Sequence, residues 1–179
     1  MEPYIALFRG INVGGTGSLP MKELAAILQG LGCQDVRTYI QSGNAVFASA
    51  QQDSASLAAA IGAEIKQRHG FEPRVLLLKR AEFEQAIAAN PFPEAENDPQ
   101  TLHLGFLASA PQKPDLQGIE KLRAASERCQ LIGRLFYLYA PDGIGRSKLA
   151  ANSERLLGVP MTDRNWRTVQ ALAAMAREL

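Results

Sequence analysis

The 179-residue sequence predicts an α+β protein built from two ferredoxin-like halves of β-α-β-β-α type, a pseudo-duplication ending in a C-terminal helix. Three observations carry this. A strand–helix–hairpin–helix–strand order runs from Tyr4 to Lys79. Most of that order returns from Thr101 onward. Several strands are apolar on both faces: Tyr4, Ala6 and Phe8 alternate with Ile5 and Leu7, and Val75 and Leu77 with Leu76 and Leu78. Such strands need cover on both sides.

The elements of the first half follow in order. Tyr4 to Arg9 is a strand, and Gly10 to Leu19 a glycine-rich loop. Pro20 suits a first helical position, where its missing N–H needs no partner. Leu24, Ile27, Leu28 and Leu31 then mark one helical face, closed by Gly32. Val36 to Gln41 and Asn44 to Ala48 form a hairpin across Ser42-Gly43. Asp53 or Ser54 caps a helix carrying Leu57, Ile61 and Ile65, which stops at Gly70. Arg74 to Lys79 closes the half as a strand.

A short helix over 81–89 follows, then the acidic, proline-bounded stretch Pro93 to Pro99. That stretch is the candidate boundary between halves 1–92 and 93–179, with one compact structural unit as the alternative. Thr101 to Leu107 is a strand, Leu116, Ile119 and Leu122 mark a helix, and Gln130 to Tyr139 is a hairpin around Gly133-Arg134. The turn cluster Pro141 to Gly145 precedes a helix from about Ser147 to Leu157, stopped by Gly158. Thr162 is read as the cap of a last helix whose buried face holds Trp166, Val169, Leu172, Ala173 and Ala176. A helix thus stands where a closing strand would complete the repeat.

Charge narrows the functional classes. Lys plus Arg number 19 and Asp plus Glu 18, a net charge of +1, which argues against a polyanion-binding surface. No apolar run reaches membrane-span length, and the N-terminus lacks signal-peptide features. Cys33 and Cys129 lie far apart, which fits a reduced, cytoplasmic chain. No Cys or His cluster has metal-ligand spacing, so neither metal nor cofactor is expected. His69 reads as a helix-end surface residue and His103 as a strand residue with a local hydrogen bond.

Three longer motifs stand out. They are Tyr4 to Gly15 (YIALFRGINVGG), Thr38 to Asn44 (TYIQSGN), and Gly145 to Leu149 (GRSKL) continued by Glu154, Leu157-Gly158 and Thr162 to Val169 (TDRNWRTV). Together they resemble the bacterial family called domain of unknown function 1697. The resemblance implies two ferredoxin-like α+β motifs and implies no reaction. Members often carry lysine just after the Gly-Gly of the first loop; this chain has Thr16 there, which weakens a phosphate role for that loop.

Both glycine-rich turns are candidate anion sites. The first, with Arg9, Asn12, Gly14 and Gly15, lies between strand and helix but lacks the lysine and the magnesium-binding hydroxyl of a Walker loop. Its backbone N–H groups can hold an anion, or its glycines can simply permit a flexible connector. The second, with Gly145, Arg146, Ser147 and Lys148, pairs glycines with cations at a helix start; the competing reading is a serine cap with solvated cations. Arg164 and Asn165 are read as its rim, with Trp166 as a core anchor. The expectation is one shared cleft holding a small anionic, phosphate-bearing ligand. An enzyme on such a ligand and a protein-interaction module are the alternatives. Sheet-face RNA binding is disfavoured, because Asn44 and Val46 occupy the positions where base-stacking rings would stand.

Overall fold

The computed structural model describes residues 1–15 and 17–179. The chain divides into two compact units: Met1–Gln85 with Ala171–Leu179, and Ala86–Gln170.

The first unit contains β1 (Glu2–Arg9), α1 (Met21–Gly30), β2 (Gln34–Thr38), β3 (Asn44–Ser49), α2 (Ser54–His69) and β4 (Arg74–Lys79). Its antiparallel sheet has the order β2-β3-β1-β4 of a ferredoxin-like fold. The central strand β1 explains the rest. Tyr4, Ala6 and Phe8 pack with Phe47 under Leu24, Ile27 and Leu28 of α1 and Leu57, Ile61 and Ile65 of α2. On the opposite face Ile5, Leu7 and Val46 are also fully buried, as their two-sided pattern requires. Asp53 caps α2 by accepting from Ala55 and Ser56 N–H, and Gly70 ends it in the left-handed region. Pro20 sits one residue outside α1, where its carbonyl accepts from Leu24 N–H at 3.0 Å.

The hairpin departs from the sequence reading. Its strands pair antiparallel as expected, Arg37 opposite Val46 and Thr38 opposite Ala45, but β2 starts earlier, carries a bulge and ends at Thr38. Ile40 has φ +47° and Gly43 φ +91°, conformations that a ladder does not accommodate. Tyr39 to Gly43 therefore form a longer loop, closed by Tyr39 N–H to Asn44 O at 2.9 Å. A side chain at Gly43 would lie 2.7 Å from Ile11 Cδ1, so the two loops meet where only glycine fits.

Asn12 joins them chemically. Its Nδ2 donates to Leu19 O at 2.8 Å and to Gln41 O at 2.9 Å, while its Oδ1 accepts from Leu19 N–H at 2.8 Å. One amide thus closes the glycine-rich loop on itself and ties it to the hairpin loop.

Helix α3 (Arg80–Ala88) runs into the second unit. There follow a 3-10 turn at Pro93–Asn97, β5 (Leu102–Leu107), α4 (Leu116–Leu122), β6 (Arg128–Ile132), β7 (Leu135–Tyr139), a 3-10 turn at Ile144–Arg146, α5 (Lys148–Leu157), β8 (Met161–Asn165) and α6 (Trp166–Arg177). The sheet order is β6-β7-β5-β8, so the ferredoxin-like plan is completed here too.

Strand β8 is a correction. Thr162 does not cap a helix; it pairs with Phe106 in the sheet. The cap is Asn165, whose Oδ1 accepts from Thr168 N–H at 2.9 Å. The edge strand Met-Thr-Asp-Arg-Asn has no apolar run to announce it.

Leu107, Phe136 and Leu138 form a core with Ile119, Leu149 and Leu156. The other face buries Leu102, Leu104, Phe106 and Tyr137. Tyr137 donates to Ala86 O at 2.6 Å, and burial pushes its phenol up to about 12. Arg128 lies 5.1 Å from the Phe92 ring and 5.0 Å from that of Tyr139, and it pairs with Glu94, which holds the Pro93–Asn97 turn to the sheet.

Removing the Asn12 amide leaves two carbonyls and an N–H without their partners and puts alanine at φ +52°. Asn12→Ala is expected to destabilise the fold by about 1–3 kcal/mol, read as a lower urea midpoint. An unchanged midpoint would show that the loop does not depend on this amide.

Candidate functional site

Register on β5 builds the site. His103 pairs with Asn165 and Gly105 with Asp163, so His103, Asp163 and Asn165 share the sheet face that carries Phe136 and Leu138. His103 Nδ1 lies 2.9 Å from Asp163 Oδ2. An ionised carboxylate only accepts, so the ring hydrogen sits on Nδ1. Nε2 is then an acceptor in the neutral ring. It is buried and has no hydrogen-bond partner among the described residues. His103 is only 6% exposed, whereas Asp163 reaches the surface. Gly105 leaves room for Met161 beside them: a Cβ there would lie 2.3 Å from Met161 Sδ, so that side chain would have to shift.

Two cavities adjoin this pair. An apolar slot of about 350 Å³ lies among Phe136, Leu138, Ala150 and Met161, with Asp163 and Ser147 on its wall. A polar basin of about 540 Å³ is lined by Asp98, Gln100, Thr101, His103, Asp142 and Asn165. Ile144 lines both. Neither lining includes a lysine or arginine. Both volumes fall within the range of small-molecule sites.

Comparison with protein families gives a match over residues 1–137 to a protein of unknown function, DUF1697. The chain belongs to the DUF1697 family. The matched residues include the motifs at Tyr4 to Gly15 and Thr38 to Asn44, and β5 with His103; the segment from Gly145 to Val169 lies beyond them. Among solved structures, the conserved bacterial protein SP0830 from Streptococcus pneumoniae is similar in fold. It aligns with a TM-score of 0.70 and 24% identity, over 98% of this chain and 98% of that one. No curated protein matches.

In this DUF1697 chain the expected site residues fall into distinct environments. Arg9, Asn12, Gly14 and Gly15 belong to the first unit, and Gly145, Arg146, Ser147, Lys148, Arg164 and Asn165 to the second. The Asn12 side chain is committed to Leu19 and Gln41. Thr16, where a Walker loop needs lysine, lies outside the described residues. Gly145 and Ser147 reach the slot, Asn165 the basin, while Arg146 and Lys148 are exposed beside them. Alternation puts Arg164 on the opposite face of β8 from Asp163 and Asn165, and burial pulls its guanidinium down to about 10. It stays charged at neutral pH.

His103 and Asp163 are the pair that sequence reading missed. They are 60 residues apart, and only the β5–β8 register joins them. The one available signal was a histidine inside the otherwise apolar Leu-His-Leu-Gly-Phe-Leu strand.

Ser147 caps α5, its Oγ accepting from Ala150 N–H at 3.0 Å. Ser147→Ala should lower stability by about 1 kcal/mol in urea denaturation. A cost near zero would mean that the hydroxyl is not needed for the helix.

Proposed function

We propose that this DUF1697 protein binds a small ligand bearing an anionic group at the second glycine-rich turn, Gly143 to Lys148. The observation that carries the reading is that this turn lines two adjoining cavities, one of which is also lined by His103, whose Nε2 has no partner among the described residues. The turn opens into a ten-residue helix, whose N-terminal dipole favours negative charge. Arg146 and Lys148 flank it, exposed, and their charges suit phosphate or carboxylate. Asp98 and Asp142 keep an anion out of the basin, so the anionic group belongs on the rim beside those cations.

The His103–Asp163 pair favours a second reading, an enzyme on the same ligand. An imidazole oriented by a carboxylate can take a proton and return it. Turnover of a bound phosphorylated metabolite separates catalyst from binder. A cytoplasmic location belongs to the same proposal. It is supported by Cys33 and Cys129, which are unpaired and whose thiols burial pushes up. Among the described residues no helix is long and apolar enough to cross a membrane.

A thermal-shift screen of nucleotides and phosphorylated metabolites tests the proposal. A ligand at 100-fold its Kd should add about 2.7 kcal/mol of stability. Arg146→Ala should weaken that ligand roughly tenfold or more, since a charge-assisted bond is lost from the exposed rim. Unchanged affinity after combined Arg146→Ala and Lys148→Ala would remove the turn from the site.

A further inference from the structure

We infer that the polar basin of the second unit recognises a protonated amine. The inference rests on the reading that a small ligand enters this site, and it names the chemistry of the ligand's other end. Three residues lining the basin, His103, Asp98 and Asp142, carry acceptors. With the ring hydrogen on Nδ1 given to Asp163, Nε2 of His103 is an acceptor, and it is buried with no partner among the described residues. Buried polar atoms without a partner are rare in folded proteins, and each calls for a reason. Asp98 and Asp142 are acceptor-only carboxylates at the same basin. Asp142 takes one bond from Ser126 Oγ, and its second oxygen has no hydrogen bond among the described residues.

No cation in the lining neutralises these carboxylates. Asn165, whose Oδ1 is held by Thr168 N–H, and Gln100 bring amide N–H donors to the lining, but both are uncharged and leave the two carboxylates without a positive partner there. An ammonium group brings three N–H donors and a positive charge. Inorganic phosphate brings neither. A ligand satisfying both ends of the site is therefore zwitterionic, with its amine in the basin and its anion at the Gly143 to Lys148 rim.

The test is ¹⁵N NMR of the full-length protein, following the His103 imidazole nitrogens and the backbone amides of Gly143 to Lys148. The probes are ethanolamine, phosphoethanolamine and inorganic phosphate. Both amines should move His103 Nε2, and phosphate should move only the turn amides. Asp98→Asn with Asp142→Asn, both at exposed positions, should weaken ethanolamine binding several-fold without weakening the phosphate response of the turn amides. Asp163→Asn should let the ring hydrogen move to Nε2, visible in the ¹⁵N shifts, and weaken ethanolamine roughly tenfold or more. The inference falls if neither amine moves Nε2 in the folded protein, or if the Asp98/Asp142 variant binds ethanolamine as the wild type does. A phosphate response at the turn without any amine response sinks the amine alone and leaves the anion reading standing. An amine response at His103 with no phosphate response does the reverse.

Discussion

Every residue from Leu102 to Leu107 is buried, yet one of the six is a histidine. That constraint governs the second unit. A strand with no solvent-facing side must be paired at both edges, and β5 is, by β7 and β8. It must also be covered on both faces. The histidine must then find its hydrogen bonds inside the protein, because burying an unpaired polar group is costly. Asp163 supplies one partner across the β5–β8 ladder. Gly105 keeps the next position on that face narrow enough for Met161 to lie beside it. The other ring nitrogen is left without a partner among the described residues, and His103 itself lines a cavity.

The two units share a plan and differ at the corresponding edge. In the first, β1 is flanked by β4, Arg-Val-Leu-Leu-Leu-Lys, and the pairs along the ladder include Ile5 with Leu78 and Leu7 with Leu76. In the second, the equivalent ladder sets His103 against Asn165 and Gly105 against Asp163. Where one unit places aliphatic side chains face to face, the other places an imidazole, an amide and a carboxylate. Duplication accounts for the common strand order; the polar edge strand is what makes one sheet a candidate for chemistry.

Most of the fold was legible because it is written in local patterns. Leu24, Ile27 and Leu28 announce α1 by their spacing, and Asp53 and Gly70 bracket α2 with a cap and a left-handed stop. What the pattern could not show was β8. Its residues make a strand by pairing with Phe106 and Leu104, a long-range contact with no local signature, and Thr162 offered a plausible cap in the wrong place. The hairpin loop was also misjudged, since nothing in Tyr-Ile-Gln-Ser-Gly announces that a β-branched isoleucine adopts a positive φ. The site suffered from the same blindness. Turn residues beside glycines are visible in sequence; a His–Asp pair made by strand register is not.

That asymmetry bears on how polar residues in glycine-rich motifs are interpreted. Asn12 spends its amide on two carbonyls and an N–H, and Ser147 spends its hydroxyl on the first turn of α5. Both sit where a loop bends sharply and exposes backbone donors and acceptors that no regular element satisfies. A short polar side chain at such a bend is the nearest group able to satisfy them, so its presence follows from the turn itself. His103 differs in kind. It lies in a regular strand whose own N–H and C=O groups the sheet already serves, so the backbone makes no demand on its ring. A polar group retained there, against the cost of burial and with one nitrogen still unpaired, has no structural debt to explain it. The unexplained polar group therefore sits on β5 and its partner on β8, and the Gly143 to Lys148 turn lines the cavities beside them.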